Sequence, residues 1–137
     1  MKVVRAWEED GVTIPEPYRR TLKVLFAPDK EGVSELTFSH VLVPPGGQTD
    51  HHAHDRPELI YVVSGQGIAL CQEGRVPLTP GVALWAPRDE PHQIHNTGSE
   101  DLTLVTVFVP GYGAQEIHNR CLQAAAACNA LPDAADQ

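Results

Sequence analysis

The chain has 137 residues, 42% of them hydrophobic, and we expect a single domain over residues 1–137. Its formal net charge of −8 argues against a nucleic-acid partner, because nucleic-acid binders carry clustered positive charge that neutralises phosphates. No apolar stretch approaches the roughly 18 residues of a membrane helix and no signal-peptide pattern is present, so we expect no membrane partner. The three cysteines (Cys71, Cys121 and Cys128) lack the spacing of a disulfide framework, which indicates the reducing cytoplasm.

The N-terminal part of the chain is followed by many short apolar runs. Pro15 and Pro17 prevent a helix, so about 20 residues are predicted to form an extended arm. Gly- and Pro-rich turns then separate apolar runs at 22–26, 36–43, 58–63, 68–71, 82–86, 92–95 and 102–109. Short strands joined by such turns are typical of an antiparallel sandwich or barrel. The sequence therefore predicts an all-β barrel core at about residues 20–110.

Alternation along the run at 35–43 predicts which side chains face the interior. Leu36, Phe38, His40 and Leu42 share one face, and we expect this more apolar face to point inward. His40 would then lie among buried neighbours. It would be either a hydrogen-bonded core histidine or an acid, base or supporting group of a pocket.

The C-terminal part of the chain predicts a helix at about residues 114–130. It is rich in alanine, the best helix former, and Ile117, Cys121, Ala124 and Cys128 repeat at helical spacing. Residues 131–137 are expected to be frayed.

Two segments carry the residues that indicate chemistry. In the first, His52 and His54 are two positions apart and share a strand face, and Glu58 has the same parity, whereas His51 faces away. In the second, a buried-type strand enters a proline turn and then reaches His92. Imidazole nitrogens and a carboxylate that converge on one point are the ligands of a divalent transition metal. The alternative is a solvated polar turn beside Pro57 for His52, His54 and Glu58, and a hydrogen-bonded turn histidine after Pro91 for His92.

The same two segments resemble the two sequence motifs of the cupin superfamily. The first motif is matched through Gly46, His52, His54, Glu58 and Gly65. The second is matched through Gly81, Pro87, Asp89, His92 and Asn96, with Asp89 in place of a glycine. The resemblance covers roughly residues 36–109 and implies a double-stranded β-helix (jelly-roll) barrel. It also implies one metal ion near the barrel mouth, held by His52, His54, Glu58 and His92.

The implied ligand set leaves several functions open. Three neutral imidazoles and one carboxylate give a divalent Fe, Mn, Ni, Zn, Co or Cu ion a net charge near +1 and, if six-coordinate, two open positions. We expect a metalloenzyme acting on a small oxygen-rich substrate, as a dioxygenase or as an isomerase, lyase or decarboxylase, with Glu58 or His40 moving a proton. The alternative is a non-catalytic small-molecule-binding or sensor module. Single-domain cupins commonly dimerise, so a homodimer is also expected.

Overall fold

The computed structural model describes residues 1–129. Nine strands and one helix follow a 3₁₀ turn at Ala6–Glu8. The strands are β1 (Val12–Ile14), β2 (Arg20–Phe26), β3 (Thr37–Val43), β4 (Glu58–Ser64), β5 (Gly67–Cys71), β6 (Gly74–Leu78), β7 (Ala83–Ala86), β8 (Gln93–Asn96) and β9 (Leu102–Phe108). The helix is α1 (Ala114–Asn129).

The strands form two antiparallel sheets. One sheet has six strands in the order β1-β2-β3-β9-β4-β7, and the other has three in the order β6-β5-β8. The predicted all-β class is thereby confirmed. Two strands were missed: β1 has three residues and lies just before Pro15, and β6 contains Pro77. Both features weaken the strand pattern in the sequence.

The hydrophobic core lies between the two sheets. The six-stranded sheet contributes side chains of alternating residues, and the three-stranded sheet covers them from the opposite side. The contributors from the larger sheet are Leu22, Val41, Val43, Ile60, Val62, Leu102, Leu104 and Phe108, and those from the smaller sheet are Ala69, Leu78 and Ile94. This burial of apolar surface from both sheets is the main stabilising term of the fold.

The prediction of the interior face of β3 is wrong. Thr37, Ser39, Val41 and Val43 are buried, whereas His40 and its neighbours on the other face are only half-buried. The physical reason is that the outer face of this sheet is also apolar, so hydrophobicity alone does not distinguish the two sides of β3. His40 therefore points away from the barrel interior.

Helix α1 begins where the sequence predicts and packs one face on the barrel. Asp29 accepts hydrogen bonds from the N–H groups of Ala114 (2.6 Å) and Gln115 (3.2 Å), which fixes the helix N-terminus. The bond from Ala114 lowers the pKa of Asp29. Ile117 and Ala125 are buried. Ala130, the last residue of the predicted helix, and the expected fraying of residues 131–137 lie outside the described residues.

Residues 1–129 contain neither a helix that could span a membrane nor a disulfide bond. Within residues 1–129, none of the helices is long and apolar enough to cross a membrane. The three cysteines are free and half-buried.

Candidate metal centre

A backbone frame joins the two segments that carry the histidines. The chain after β3 runs antiparallel beside β8, with the N–H of Thr49 donating to the carbonyl of Ile94 (2.8 Å). Further along, the N–H of His52 donates to the carbonyl of His92 (3.1 Å), and the N–H of His92 donates to that of His52 (2.9 Å). The two histidines are thus fixed opposite each other by main-chain bonds.

Three histidines form a compact group at this frame. His52, His54 and His92 each offer one ring nitrogen, and these nitrogens all lie within 4.8 Å of one another. Their ring centroids are 4.3 to 5.7 Å apart. Glu58, at the start of β4, places Oε1 2.9 Å from Nε2 of His92 and 3.8 Å from Nε2 of His54. Glu58 and His92 are buried, whereas His52 and His54 are half-buried.

The hydrogen bonds of the rings leave nitrogen lone pairs directed at the centre of the group. Nδ1 of His92 lies 3.0 Å from the carbonyl of Glu90, which can only accept, so Nδ1 carries the proton. In the neutral ring Nε2 then has a lone pair, and it faces the carboxylate oxygen of Glu58. Two acceptors at this distance require a proton or a metal ion between them. The donor set therefore fits a divalent transition metal.

Burial and mutual charge set the protonation of these rings. Burial, followed by the charges of His52 and His92, lowers the pKa of His54 to about 3. Burial also lowers the pKa of His92, but the hydrogen bond and charge of Glu58 outweigh it, so the net pKa is raised. The neutral His54 ring is in the protonation state that metal ligation needs.

Asp50 holds the His52 ring from the side away from the group. Nδ1 of His52 donates to the main-chain carbonyl of Asp50 (2.6 Å) and lies 3.0 Å from Oδ2 of the same residue, whose Oδ1 accepts from the guanidinium of Arg20 (3.1 Å). Burial raises the pKa of Asp50, but His52 and Arg20 outweigh it and hold that pKa at about 2. Asp50 is therefore a carboxylate, and Nε2 of His52 is left free for a ligand.

A cavity of about 150 Å³ opens from the histidine group into the barrel. Its walls are largely apolar, and α1 contributes Ile117, Arg120 and Cys121 to one side. The remaining apolar contributors are Leu22, Val41, Ala53, Ile60, Ile94, Leu104 and Phe108. A mostly apolar cavity with a few polar groups at one end is typical of a small-molecule site.

Four of the five residues proposed from the sequence are brought together and one is not. His52, His54, Glu58 and His92 all line the cavity. His40 does not line it, because it lies on the outer face of β3, where burial and the charge of Lys23 lower its pKa. Because His40 does not face the cavity, the structure gives no support to the prediction that it is a pocket acid or base.

The motif residues that are not ligands shape the turns around the site. The side chain of Asn96 donates to the carbonyls of Val43 (2.8 Å) and Glu100 (2.7 Å), so it fastens the end of β8. Asp89 has φ +66°, which explains why a glycine suits this position. Its N–H donates to the carbonyl of His54 (2.7 Å). Asp89 thus replaces the motif glycine without loss of the bond that holds the His54 segment.

Several residues at the site were missed by the sequence argument. Asp50 has the same parity as His52, and this signal could have identified it. Its partner Arg20 lies 30 positions away, and no local pattern links the two. The guanidinium of Arg56 lies 4.0 Å above the ring of Tyr112 and also donates to the carbonyl of Gly111. The ring and the carbonyl therefore already hold this positive charge.

Comparisons with known proteins agree with the fold and the motifs. The sequence profile of the cupin domain family matches residues 39–108. The chain is 32% identical to the L-ectoine synthase of Bordetella avium over 99 residues, which is 71% of this chain and 72% of that protein. It is 30% identical to an oxalate-binding protein of Thermotoga maritima over 73 residues, 53% of this chain and 60% of the relative. This second alignment therefore spans less than two thirds of that relative.

One solved structure is matched over almost its whole length. The crystal structure of a predicted oxalate decarboxylase from Thermotoga maritima superposes with a TM-score of 0.72 and 24% identity, covering 80% of this chain and 99% of that one. The fold, the two motifs and the matched profile define a β-barrel protein with a histidine cluster at its cavity. The chain belongs to the cupin family.

Proposed function

We propose that this chain is a mononuclear metal-dependent enzyme that acts on a small oxygen-rich molecule bound inside the barrel. His52, His54, His92 and Glu58 would hold one divalent Fe, Mn, Ni, Zn, Co or Cu ion. When bound, the ion supplies positive charge that polarises an oxygen of the substrate. The reaction class is either dioxygenation or an isomerase, lyase or decarboxylase reaction.

The single observation that carries this proposal is the approach of Glu58 to His92. Nε2 of His92 and Oε1 of Glu58 lie 2.9 Å apart in the wall of the cavity, beside two further imidazoles. With Nδ1 of His92 committed to the Glu90 carbonyl, Nε2 meets Glu58 either through a second proton or through a shared metal ion, and the two further imidazoles beside the pair favour the ion. The largely apolar cavity walls lower the local dielectric and strengthen the electrostatic interactions at this point.

The residues of the chain have distinct roles in this proposal. Asp50 and the Glu90 carbonyl orient the His52 and His92 rings through their Nδ1 protons. Glu58 is the carboxylate nearest the group, and the oxygen that does not bind the ion would take a proton from a bound substrate and return it.

Titration of the metal-loaded protein with oxalate tests the binding part of the proposal. The dianion is a bidentate oxygen ligand, and one relative is an oxalate-binding protein. We expect calorimetry to detect binding in the wild type and in His51→Ala, an exposed neighbour outside the group, and none in His52→Ala. Equal binding in all three proteins would contradict the proposal.

A non-catalytic binding module is the second candidate, and the name of that oxalate-binding relative favours it. Product analysis after incubation with small carboxylic and hydroxy acids separates the two candidates. A substrate consumed only in air indicates a dioxygenase. A substrate consumed equally without oxygen indicates an isomerase, lyase or decarboxylase. Ligands that bind and are recovered unchanged favour the module.

We also propose that the chain forms a homodimer through the outer face of the six-stranded sheet. Large apolar side chains are exposed there: Tyr61 is 44% exposed and Trp85 61% exposed, beside Leu59 and Val63. A contiguous apolar patch of this kind marks an interaction surface. Light scattering at micromolar concentration should give a dimeric mass for the wild type and for Leu122→Glu on α1, and a monomeric mass for Tyr61→Glu. A monomeric wild type would contradict the dimer.

We further propose that the protein works in the cytoplasm. The three free cysteines support a reducing compartment, where thiols persist. Titration of freshly lysed cells should find three free thiols per unfolded chain, and fewer than three would contradict this location.

A further inference from the structure

One buried hydroxyl in the cavity has no partner among the described residues. Ser39, in the middle of β3, is 1% exposed, and its Oγ makes no hydrogen bond. A buried hydroxyl without a partner destabilises the folded state, so native proteins rarely retain one unless a ligand or water satisfies it. Ser39 is one of the residues that line the cavity.

A second hydroxyl lies directly beside Ser39. Ser39 pairs with Thr106 across the β3–β9 register, and both face inward and line the cavity. Thr106 is buried, and it pairs in turn with Ile60 of β4. The neighbouring inward row of the sheet toward the barrel centre is apolar and contains Val41 and Leu104. The two hydroxyls therefore border the apolar part of the cavity wall.

The register fixes how far this spot lies from the histidine group. On the inward face of the sheet, Glu58 is paired with Phe108. Thr106 and Ser39 are paired with each other in the next inward row. Diagonal neighbours on one sheet face are about 7–8 Å apart, which places Thr106 that far from Glu58. Ser39, one strand further, is about 12 Å from Glu58 at Cα. A molecule of a few carbon atoms spans this distance once the side chains are included.

We propose that Ser39 and Thr106 form a second polar subsite that binds an uncharged hydroxyl or carbonyl oxygen of the substrate, whose other end binds at the metal centre. This inference rests on the proposed function and narrows its substrate class. The class is a short bifunctional molecule with a metal-binding oxygen group, an apolar body and a distal neutral oxygen.

The charges around the cavity favour a neutral group at this subsite. Arg20 lines the cavity, but its guanidinium is paired with Asp50. Arg120 lies on the side of the cavity formed by α1 and is paired with Glu116 (2.9 Å). The residues flanking the two hydroxyls on the inward face of the sheet are apolar or, at Thr37, uncharged, so a distal carboxylate would be buried there without a counter-charge.

The first arm of the test measures stability without a ligand and does not depend on metal binding. Ser39→Ala removes a hydroxyl that has no partner, so we expect an unchanged or raised Tm. Thr37→Val is the matched control on the same face of β3, because the Thr37 hydroxyl donates to the carbonyl of Tyr112. We expect this control to lower Tm by about 3 °C or more. An equal loss in Ser39→Ala would overturn the proposal.

The second arm compares ligands on protein loaded with Ni²⁺, with metal content measured first. The probes are 3-hydroxypropanoate, 4-hydroxybutanoate and 5-hydroxypentanoate, each against the carboxylate with a methyl in place of its hydroxyl. We expect at least one hydroxy acid to bind the wild type about three- to tenfold more tightly than its partner. Ser39→Ala and Thr106→Val should reduce this ratio to within about twofold of unity.

The outcomes separate the subsite from the metal centre. A wild type that fails to bind Ni²⁺ contradicts the proposed function, and the stability arm still tests Ser39. A wild type that binds Ni²⁺ and the carboxylates but prefers no hydroxy acid overturns the subsite alone. An equal preference for the hydroxy acid over its methyl analogue in the wild type and in Ser39→Ala also overturns the subsite.

Discussion

His52 and His92 exchange two main-chain hydrogen bonds across a single antiparallel bridge, although 40 positions separate them in the sequence. Their spacing is therefore set by the backbone and not by contacts between the rings. Glu58 reaches the same point from the start of β4, a third segment of the chain. Because the frame does not depend on the rings, a single imidazole can be removed while the neighbouring groups stay in place.

Replacement of Asp50 by Asn should reduce both stability and metal affinity. The change removes the negative charge that compensates buried Arg20, and loss of one partner of a buried pair costs about 3 kcal/mol of unfolding free energy. It also removes the carboxylate charge beside Nδ1 of His52, while the Asp50 carbonyl still accepts from that nitrogen, so we expect metal affinity to fall by up to about tenfold. Denaturant unfolding and metal titration measure the two effects. The exposed pair of Glu116 and Arg120 is the control, since Glu116→Gln should change stability by less than about 1 kcal/mol.

The Asp50 carboxylate also predicts how stability depends on pH. Its pKa in the folded protein is about 2, below the usual 3.8. A carboxyl with a lowered pKa stabilises the fold above its unfolded pKa, and this contribution is lost as the pH falls from about 4 to 2. Urea unfolding between pH 2 and 6 should therefore show a flatter curve for Asp50→Asn than for the wild type. Parallel curves would show that Asp50 contributes nothing in this range.

The left-handed turn at Asp89 should tolerate glycine and reject a β-branched residue. With φ at +66°, Asp89→Gly removes backbone strain and should raise the unfolding free energy by up to about 1 kcal/mol. Asp89→Val should lower it by about 1–2 kcal/mol and weaken metal binding, because the Asp89 N–H holds the carbonyl of His54. Arg88→Val, exposed and one residue earlier, is the control and should be nearly neutral. An Asp89→Val variant as stable as the wild type would contradict the strain at this turn.

The two motif glycines at positions 46 and 65 should differ in their tolerance of alanine. Both have positive φ, at +77° and +88°, so both variants carry backbone strain of about 1 kcal/mol. A Cβ at Gly46 meets nothing within 4 Å, whereas at Gly65 it would lie 2.4 Å from the carbonyl oxygen of Asp101. We expect Gly46→Ala to cost about 1 kcal/mol and Gly65→Ala about 2–4 kcal/mol in denaturant unfolding. Equal losses of unfolding free energy in the two variants would contradict this prediction, because they would show that the backbone at Asp101 moves away from the new Cβ at position 65.

The fold and the two histidine segments were predictable because local sequence carries both signals. Gly and Pro turns separate apolar runs of strand length, and His52, His54 and His92 lie in two motifs with fixed internal spacing. The inward face of β3 was not predictable in the same way. Its inward row contains two hydroxyls, and its outer row contains Phe38 and Leu42, so the polarity pattern indicates the wrong side.

The support around the ligands depends on contacts between distant segments. Asp50 meets Arg20 from β2, and Ser39 meets Thr106 only through the β3–β9 register. Such pairs are set by sheet pairing, which a single sequence does not specify residue by residue. The histidine group was therefore predictable, whereas its orienting carboxylate and the hydroxyl pair became visible only in the folded chain.

The metal content of protein purified without a chelating tag tests the central claim most directly. Elemental analysis should find close to one divalent transition-metal ion per chain in the wild type and in His51→Ala. It should find almost none in His52→Ala and His92→Ala, with circular dichroism showing that both variants are folded. A wild type that takes up no metal, or variants that retain the wild-type content, would contradict a metal centre at His52, His54, Glu58 and His92.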